Sequence, residues 1–262
     1  MIRVGIGGWN YEPWRGIFYP EKLSKAKELA HASRRVTSIE VNGTFYSTFT
    51  PSVFQRWSDE TPDNFVFSLK APRFAVNRKV LGEAKPSIDR FIESGISELK
   101  NKLGPILWQL AHTKKYDPND IASFLALMPP SVDGVKLRHV LEVRHESFLN
   151  ADLVAQARTV KVALVLADSA KYPLISDMTA DFVYVRLQDA KADIETGYSA
   201  EALDQWAARA KGWERGEEPD DFPLMAPKGD QKKSRDVFVY FINGAKERAP
   251  AAAEALIQRL VS

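Results

Sequence analysis

The sequence predicts an α/β fold of the (β/α)8 TIM-barrel type, forming a single domain over residues 1–262. Three observations carry this. Short β-branched or aromatic runs alternate with helical patterns almost to the end of the chain, which is the mark of βαβ units on a parallel sheet. Eight such runs can be counted. The length of 262 residues suits a closed barrel, which routinely forms one domain at roughly 250 residues. The rival is an open doubly wound sheet. Against it, Gly5-Ile6-Gly7-Gly8-Trp9 lacks the third glycine of a dinucleotide turn and runs into aromatics and a proline, not a helix.

The predicted strands are 3–7, 37–42, 65–70, 105–110, 140–144, 162–168, 182–188 and 237–243. Between them, Thr50-Pro51 and Asp117-Pro118 each set a capping oxygen before a proline at the first helical position, where a missing N–H costs nothing. Val53, Phe54 and Trp57 follow the first on one face, and Ile121, Phe124, Leu125 and Met128 follow the second. Further apolar faces are Ile88, Phe91, Ile92, Ile96 and Leu99, then Leu203, Trp206, Ala207 and Ala210, and finally Ala249, Ala253, Leu256, Ile257 and Leu260. These stripes are packing surfaces and are assigned no chemistry. Two connections break the rhythm. The segment 169–181 is too short and irregular for a helical layer, which predicts a degenerate crossover between strands six and seven. The segment 214–235, rich in Pro, Gly and charge, predicts a long surface loop.

Composition excludes several classes of function. The absence of cysteine removes disulfides, thiolate zinc sites, iron–sulfur clusters and cysteine nucleophiles. A net charge of +2, from 36 basic against 34 acidic side chains, is too small to announce a nucleic-acid binder, so an anion site must be local. The opening Met1-Ile2-Arg3-Val4-Gly5 shows no leader pattern, and the aliphatic run 162–167 is too short to cross a bilayer. A cytoplasmic, soluble monomer with no membrane contact is expected.

In parallel barrels the reactive residues lie at the carboxyl ends of the strands. Those positions hold Gly7, Gly8 and Trp9, then Glu40 and Asn42, Lys70, Gln109, Glu142 with Arg144 and His145, Asp168, Arg186 with Gln188, and Tyr240 with Asn243. Residues two apart share a strand face, so Glu40 pairs with Asn42 and Glu142 with Arg144. Lys70, Arg144 and Arg186 suit a phosphate or carboxylate. Glu40, Glu142 or Asp168 would be the general base and His145 the proton shuttle. The same acids and bases also suit a hydrogen-bonded ion network that fixes the barrel interior. No cofactor is expected. Three carboxylates could hold a divalent cation such as magnesium, but no ligand spacing announces one. Neither a Gly-x-Ser-x-Gly elbow nor a Walker loop is present. Trp9, Tyr11, Trp14, Phe18, Tyr19, Phe45, Tyr46 and Phe49 crowd the first two loops, where they seal the barrel top or, alternatively, offer a stacking platform.

These residues resemble a known family. Gly7-Gly8-Trp9-Asn10-Tyr11 with Trp14 and Phe18-Tyr19-Pro20, then Ile39-Glu40-Val41-Asn42 with Thr44-Phe45-Tyr46, are similar to the opening of the YecE-like proteins, a family of unknown function. Lys70-Ala71-Pro72, Lys102-Leu103-Gly104-Pro105, Gln109-Leu110, Glu142-Val143-Arg144-His145, Asp168, Tyr184-Val185-Arg186 and Val239-Tyr240-Phe241 with Asn243 continue the likeness through nearly the whole chain. The resemblance implies a (β/α)8 barrel and brings no reaction with it. The chain departs from the family at Val76-Asn77, Gln188-Asp189 and Ile242, and the first two departures remove histidines that a shared metal or histidine-dependent chemistry would use.

The residues together predict an enzyme, a hydrolase or lyase, acting on a small anionic or phosphorylated ligand at the barrel mouth. Glu142, Glu40, His145 and Asp168 are its candidate catalytic residues. Asn42, Lys70, Arg144, Arg186, Trp9, Tyr46 and Asn243 are its candidate binding residues. The alternatives are a nucleic-acid binding or processing protein, using the aromatic loops and Lys228, Lys232, Lys233 and Arg235, or a non-enzymatic scaffold using the loop 214–235.

Overall fold

The computed structural model describes residues 1–229 and 233–261. Among the described residues ten strands run β1 Ile2–Gly7, β2 Ser38–Val41, β3 Val66–Lys70, β4 Leu103–Gln109, β5 Ser131–Val132, β6 Val135–Lys136, β7 His139–Glu142, β8 Ala163–Asp168, β9 Phe182–Leu187 and β10 Asp236–Phe241. Eight of them close an all-parallel barrel in the order β1-β10-β9-β8-β7-β4-β3-β2. All eight predicted strands are present, with ends shifted by a residue or two. The β5–β6 hairpin was not foreseen; it turns through Asp133 and Gly134, both at positive φ.

The helices are α1 Glu28–Ala32, α2 Gly43–Tyr46, α3 Pro51–Glu60, α4 Arg73–Val76, α5 Lys85–Ile92, α6 Pro118–Ala126, α7 Ala151–Val160, α8 Ala200–Glu214 and α9 Ala249–Val261. Strand alternation divides the core in two. On β9, Phe182 and Tyr184 enter the barrel interior with Val66, Val140, Phe238 and Tyr240, while Val183, Val185 and Leu187 join the layer beneath the helices. The same parity carries Arg186 inward, above Tyr184.

Asp117 caps α6 as predicted, accepting the Asn119 and Asp120 backbone N–H groups at 3.0 Å each. Thr50 does not cap α3: its hydroxyl pairs instead with Ser52 Oγ at 2.9 Å. The far end of α3 is held by the buried Lys102, whose Nζ donates to Ser58 O at 2.5 Å and Thr61 O at 2.8 Å, satisfying carbonyls left open by the helix end.

The apolar stripe 88–99 is not one helix. It breaks at Gly95, whose φ of 100° lies outside the range of L side chains, and resumes as a 3-10 turn at Ile96. A Cβ at Gly95 would meet Pro51 at 2.6 Å, so the break lets the chain pass against the start of α3.

No helix joins β8 to β9, in agreement with the predicted degenerate crossover. The long loop after α8 is fastened to that irregular segment. Asp177, 2% exposed, accepts the Met225 and Ala226 backbone N–H groups at 2.9 Å each, and Ser176 Oγ donates to Pro223 O at 2.6 Å. Phe222 stacks on Trp206 of α8, with Arg209 over both rings. Among the described residues no helix is long and apolar enough to cross a membrane.

Gly95→Ala is expected to lower the unfolding free energy by about 1–3 kcal/mol, because strained φ and a backbone clash act together. Urea denaturation measures it, and an unchanged midpoint would mean the break at Gly95 is not required for packing on α3.

Candidate functional site

At the carboxyl ends of the strands, Glu40 of β2, Glu142 of β7, Arg186 of β9 and Arg144 just after β7 form one connected group. Arg186 is 2% exposed. Its Nε and Nη2 donate to Glu40 Oε2 and Oε1, both at 3.0 Å, in a bidentate pair, while Nη1 donates to Glu142 Oε2 at 2.7 Å. Every nitrogen of the guanidinium is thereby used. The Tyr184 hydroxyl, one interior layer below, donates to Glu40 Oε2 at 2.8 Å and lies 2.8 Å from Ser68 Oγ. Gln109 donates to Glu142 Oε2 at 2.5 Å, and Arg144 donates to Glu142 Oε1 at 3.1 Å while its guanidinium sits 4.3 Å over Tyr172.

Electrostatics follow from this pairing. Burial alone would raise the Glu142 carboxyl, but Arg186 and Arg144, with the Gln109 hydrogen bond, outweigh it and hold it below the usual carboxylate range. Burial opposes the Arg186 charge, yet Glu142 and Glu40 raise its pKa above the ordinary arginine value. Bonded to one guanidinium, the two carboxylates form the kind of hydrogen-bonded ion network that the alternative reading describes.

Lys70, the last residue of β3, differs. It is 7% exposed, and its Nζ makes no hydrogen bond or ion pair with any described residue. Its nearest organised contact is the Phe45 ring, 4.3 Å away. Thr44 Oγ1 donates to the Lys70 carbonyl at 2.7 Å and so fixes its backbone. Burial first, and then Arg186, push its pKa down to about 8 against the opposing pull of Glu40 and Glu142.

Above this group lies a cavity of about 1030 Å³ whose wall includes Trp9, Asn42, Tyr46, Lys70, Arg144, Arg186 and Asn243. All seven predicted binding residues thus meet in one place. Asn42 Nδ2 reaches Glu40 Oε1 at 3.4 Å, and Asn243 donates to Gln188 Oε1 at 3.2 Å. Trp9 stands edge-on to Trp57 at 5.2 Å, and its carbonyl accepts the Tyr19 hydroxyl at 2.6 Å. The first-loop aromatics mostly seal, since Trp14, Phe18 and Tyr19 are buried, whereas Tyr46 is 65% exposed at the rim.

Two predicted catalytic residues fall elsewhere. His145 is not in the cavity wall; its Nδ1 accepts the Ser147 backbone N–H at 3.1 Å and caps the short turn 146–148. Asp168 borders a separate cavity of about 260 Å³ with Asp189, Trp206 and Phe222, where burial and then the Asp189 charge raise its carboxyl pKa. His145 lies three residues past β7 and is turned from the mouth by the path of its loop, whereas Asp168 is the last residue of β8 and shares the helix-facing side of that strand with Leu164 and Leu166, while Val165 and Ala167 face the interior.

Lys246 was missed by sequence reasoning. It lines the cavity, its Nζ lies 4.5 Å over the Tyr11 ring, no described carboxylate pairs with it, and burial lowers its pKa. Trp14 Nε1 donates to its carbonyl at 3.1 Å. Its position three residues past Asn243 was the available signal. Among the described residues no three His, Asp or Glu side chains gather as metal ligands. Of the basic loop cluster, Lys228 pairs with Asp220 and Arg235 with Glu218, Lys233 is exposed, and Lys232 lies outside the described residues.

A closed eight-stranded parallel barrel with its polar residues gathered at the strand ends defines a TIM-barrel protein. This chain belongs to the family described as protein of unknown function DUF72, whose model matches residues 3–262. The UPF0759 protein YecE of Escherichia coli K12 is 27% identical over 143 residues, covering 53% of this chain and 49% of YecE, so the match spans about half of that relative. A DUF72 family protein of Thermotoga maritima superposes over 100% of both chains with a TM-score of 0.76 at 21% identity. SacUVDE gives a TM-score of 0.55 at 10% identity, covering 100% of this chain and 98% of the other. At these identities the two structures share the barrel and say nothing of its chemistry.

Arg186→Met is expected to destabilise the fold by about 3–5 kcal/mol, because it leaves two buried carboxylates without their common partner. Chemical denaturation of the variant tests this, and a loss below about 1 kcal/mol would show that the network does not hold the barrel.

Proposed function

We propose that the barrel mouth is an enzyme site for a small carboxylate- or phosphate-bearing ligand, held by Lys70 and Lys246, with Lys70 also moving the proton. The observation that carries this is Lys70 itself: a lysine only 7% exposed as a whole residue, in a cavity wall, whose Nζ has no hydrogen bond or ion pair among the described residues. A desolvated ammonium left unpaired is costly, and an anionic ligand supplies the missing countercharge. Six cationic side chains line the cavity, against Glu60 in its wall and Glu40 and Glu142 bound below to Arg186. Arg56 and Lys25 stand within 4 Å of Glu60 and Glu12, which leaves Lys70 and Lys246 as the two lining cations without a carboxylate partner among the described residues.

An amine with a pKa of about 8 can take or give a proton near neutral pH. This favours a lyase-type proton abstraction over hydrolysis, since the carboxylates that would activate water are already engaged. A second reading, nucleic-acid binding, draws on the exposed rings of Tyr46 and Phe74, the latter with Arg73 at 5.0 Å, as stacking faces.

Inorganic phosphate or malonate is expected to raise the melting temperature of the wild type. Lys70→Met and Lys246→Met should each weaken the apparent affinity about tenfold or more, the scale of a lost charge-assisted hydrogen bond. Binding should fall as pH rises through about 8, where Lys70 loses its proton. Wild-type affinity retained in both variants would sink the assignment.

The ligand-free Lys70→Met variant should, in contrast, be more stable at pH 7, by on the order of 2–3 kcal/mol. Because the folded pKa lies below the unfolded one, the Lys70 charge destabilises the fold below about pH 8, and that cost disappears as pH rises towards the unfolded value near 10.5. The stability gap between variant and wild type should therefore close at alkaline pH. A gap that is absent at pH 7 or constant with pH would contradict the burial of an unpaired charge.

A further inference from the structure

We infer that Lys70 is a covalent residue as well as an anion contact, and that its Nζ forms an imine with the carbonyl carbon of a small 2-oxo acid whose carboxylate is held by the remaining cations of the mouth. The inference rests on the anion-binding reading and deepens it.

Geometry supports it in three ways. The amine is fixed at the end of a barrel strand, with its carbonyl bound to Thr44 Oγ1, so it is placed by rigid backbone and not by a mobile loop. It faces a cavity on a residue only 7% exposed as a whole, and the Phe45 ring lies 4.3 Å away on one side. The charged groups that act on it are Glu40 from β2, Glu142 from β7, Arg144 just after β7 and Arg186 from β9. Burial and the two arginines favour the neutral, nucleophilic amine; the two carboxylates favour the positive charge that an iminium carries. The same surroundings therefore serve both ends of the reaction.

The step balances as follows. The Nζ lone pair attacks the carbonyl carbon, a C–N bond forms, and the carbonyl π electrons move to oxygen. Nζ gives that oxygen one proton and solvent supplies a second. The C–O bond breaks, water leaves through the open mouth, and the nitrogen keeps its last proton as an iminium. No redox partner is needed. The iminium is then an electron sink for proton loss or bond cleavage at the neighbouring carbon, consistent with lyase chemistry. Lys246 and the outer face of Arg144 are the cations left for the carboxylate.

The test uses pyruvate with cyanoborohydride on the intact protein, followed by peptide mapping by mass spectrometry. Lys70 should carry one reduced pyruvate and be labelled roughly tenfold or more faster than the exposed lysines, which hold far less neutral amine at pH 7. The rate should rise as pH increases through about 8. Lactate, which has the carboxylate but no carbonyl, should bind and protect Lys70. Lys70→Arg should lose the adduct. Labelling of Lys70 no faster than surface lysines overturns the covalent role. If lactate still binds in that case, the anion site stands without the imine; if lactate fails to bind the wild type at all, both readings fall together.

Discussion

Arg186 spans the top of the barrel interior and joins two carboxylates that arrive from well-separated strands, Glu40 on β2 and Glu142 on β7. Three charges have been taken out of water, and the arrangement is tolerable only because each acceptor and donor is matched. Tyr184 below, Gln109 and Arg144 beside, and Asn42 above complete the matching. A guanidinium suits this place where an ammonium would not, since its planar fork reaches one carboxylate with two nitrogens and leaves the third for the other. The upper end of the barrel therefore has a rigid polar floor in place of a further apolar layer.

That floor sets what the mouth can do. Both carboxylates are bonded to Arg186, so the polar residues that look most catalytic are the ones already occupied. The reactive possibility passes to Lys70, close enough to feel all four charges but bonded to none of them. Sites of this kind are where stability and function pull apart. Family membership agrees with the barrel and leaves the chemistry to be argued from these residues.

Much of the fold was legible because strand parity and capping are local. All eight barrel strands, the Asp117 cap, the missing helix before β9 and the long loop before β10 follow from residue pattern alone. The stripe at 88–99 misled because helical spacing continues across Gly95, while the contact that breaks the helix comes from Pro51, more than forty residues earlier. Thr50 has a capping oxygen that its neighbour Ser52 claims instead. The seven binding candidates converge as expected, because a closed barrel brings every strand end to one rim.

The sequence by itself determined the barrel and its polar rim, since these depend on period-two alternation and on which end of a parallel strand a residue occupies. Only the tertiary structure decided which charges are spent on one another and which are left over. His145 was diverted by the path of its loop, and Lys246 stands at the mouth with its carbonyl accepting the indole Nε1–H of Trp14, 232 residues away in the chain; Asp168, in contrast, faces the helices by the strand parity of β8. Partner choice among buried charges is a matter of distances of about 3 Å between strands far apart in sequence, and no one-dimensional pattern encodes those distances.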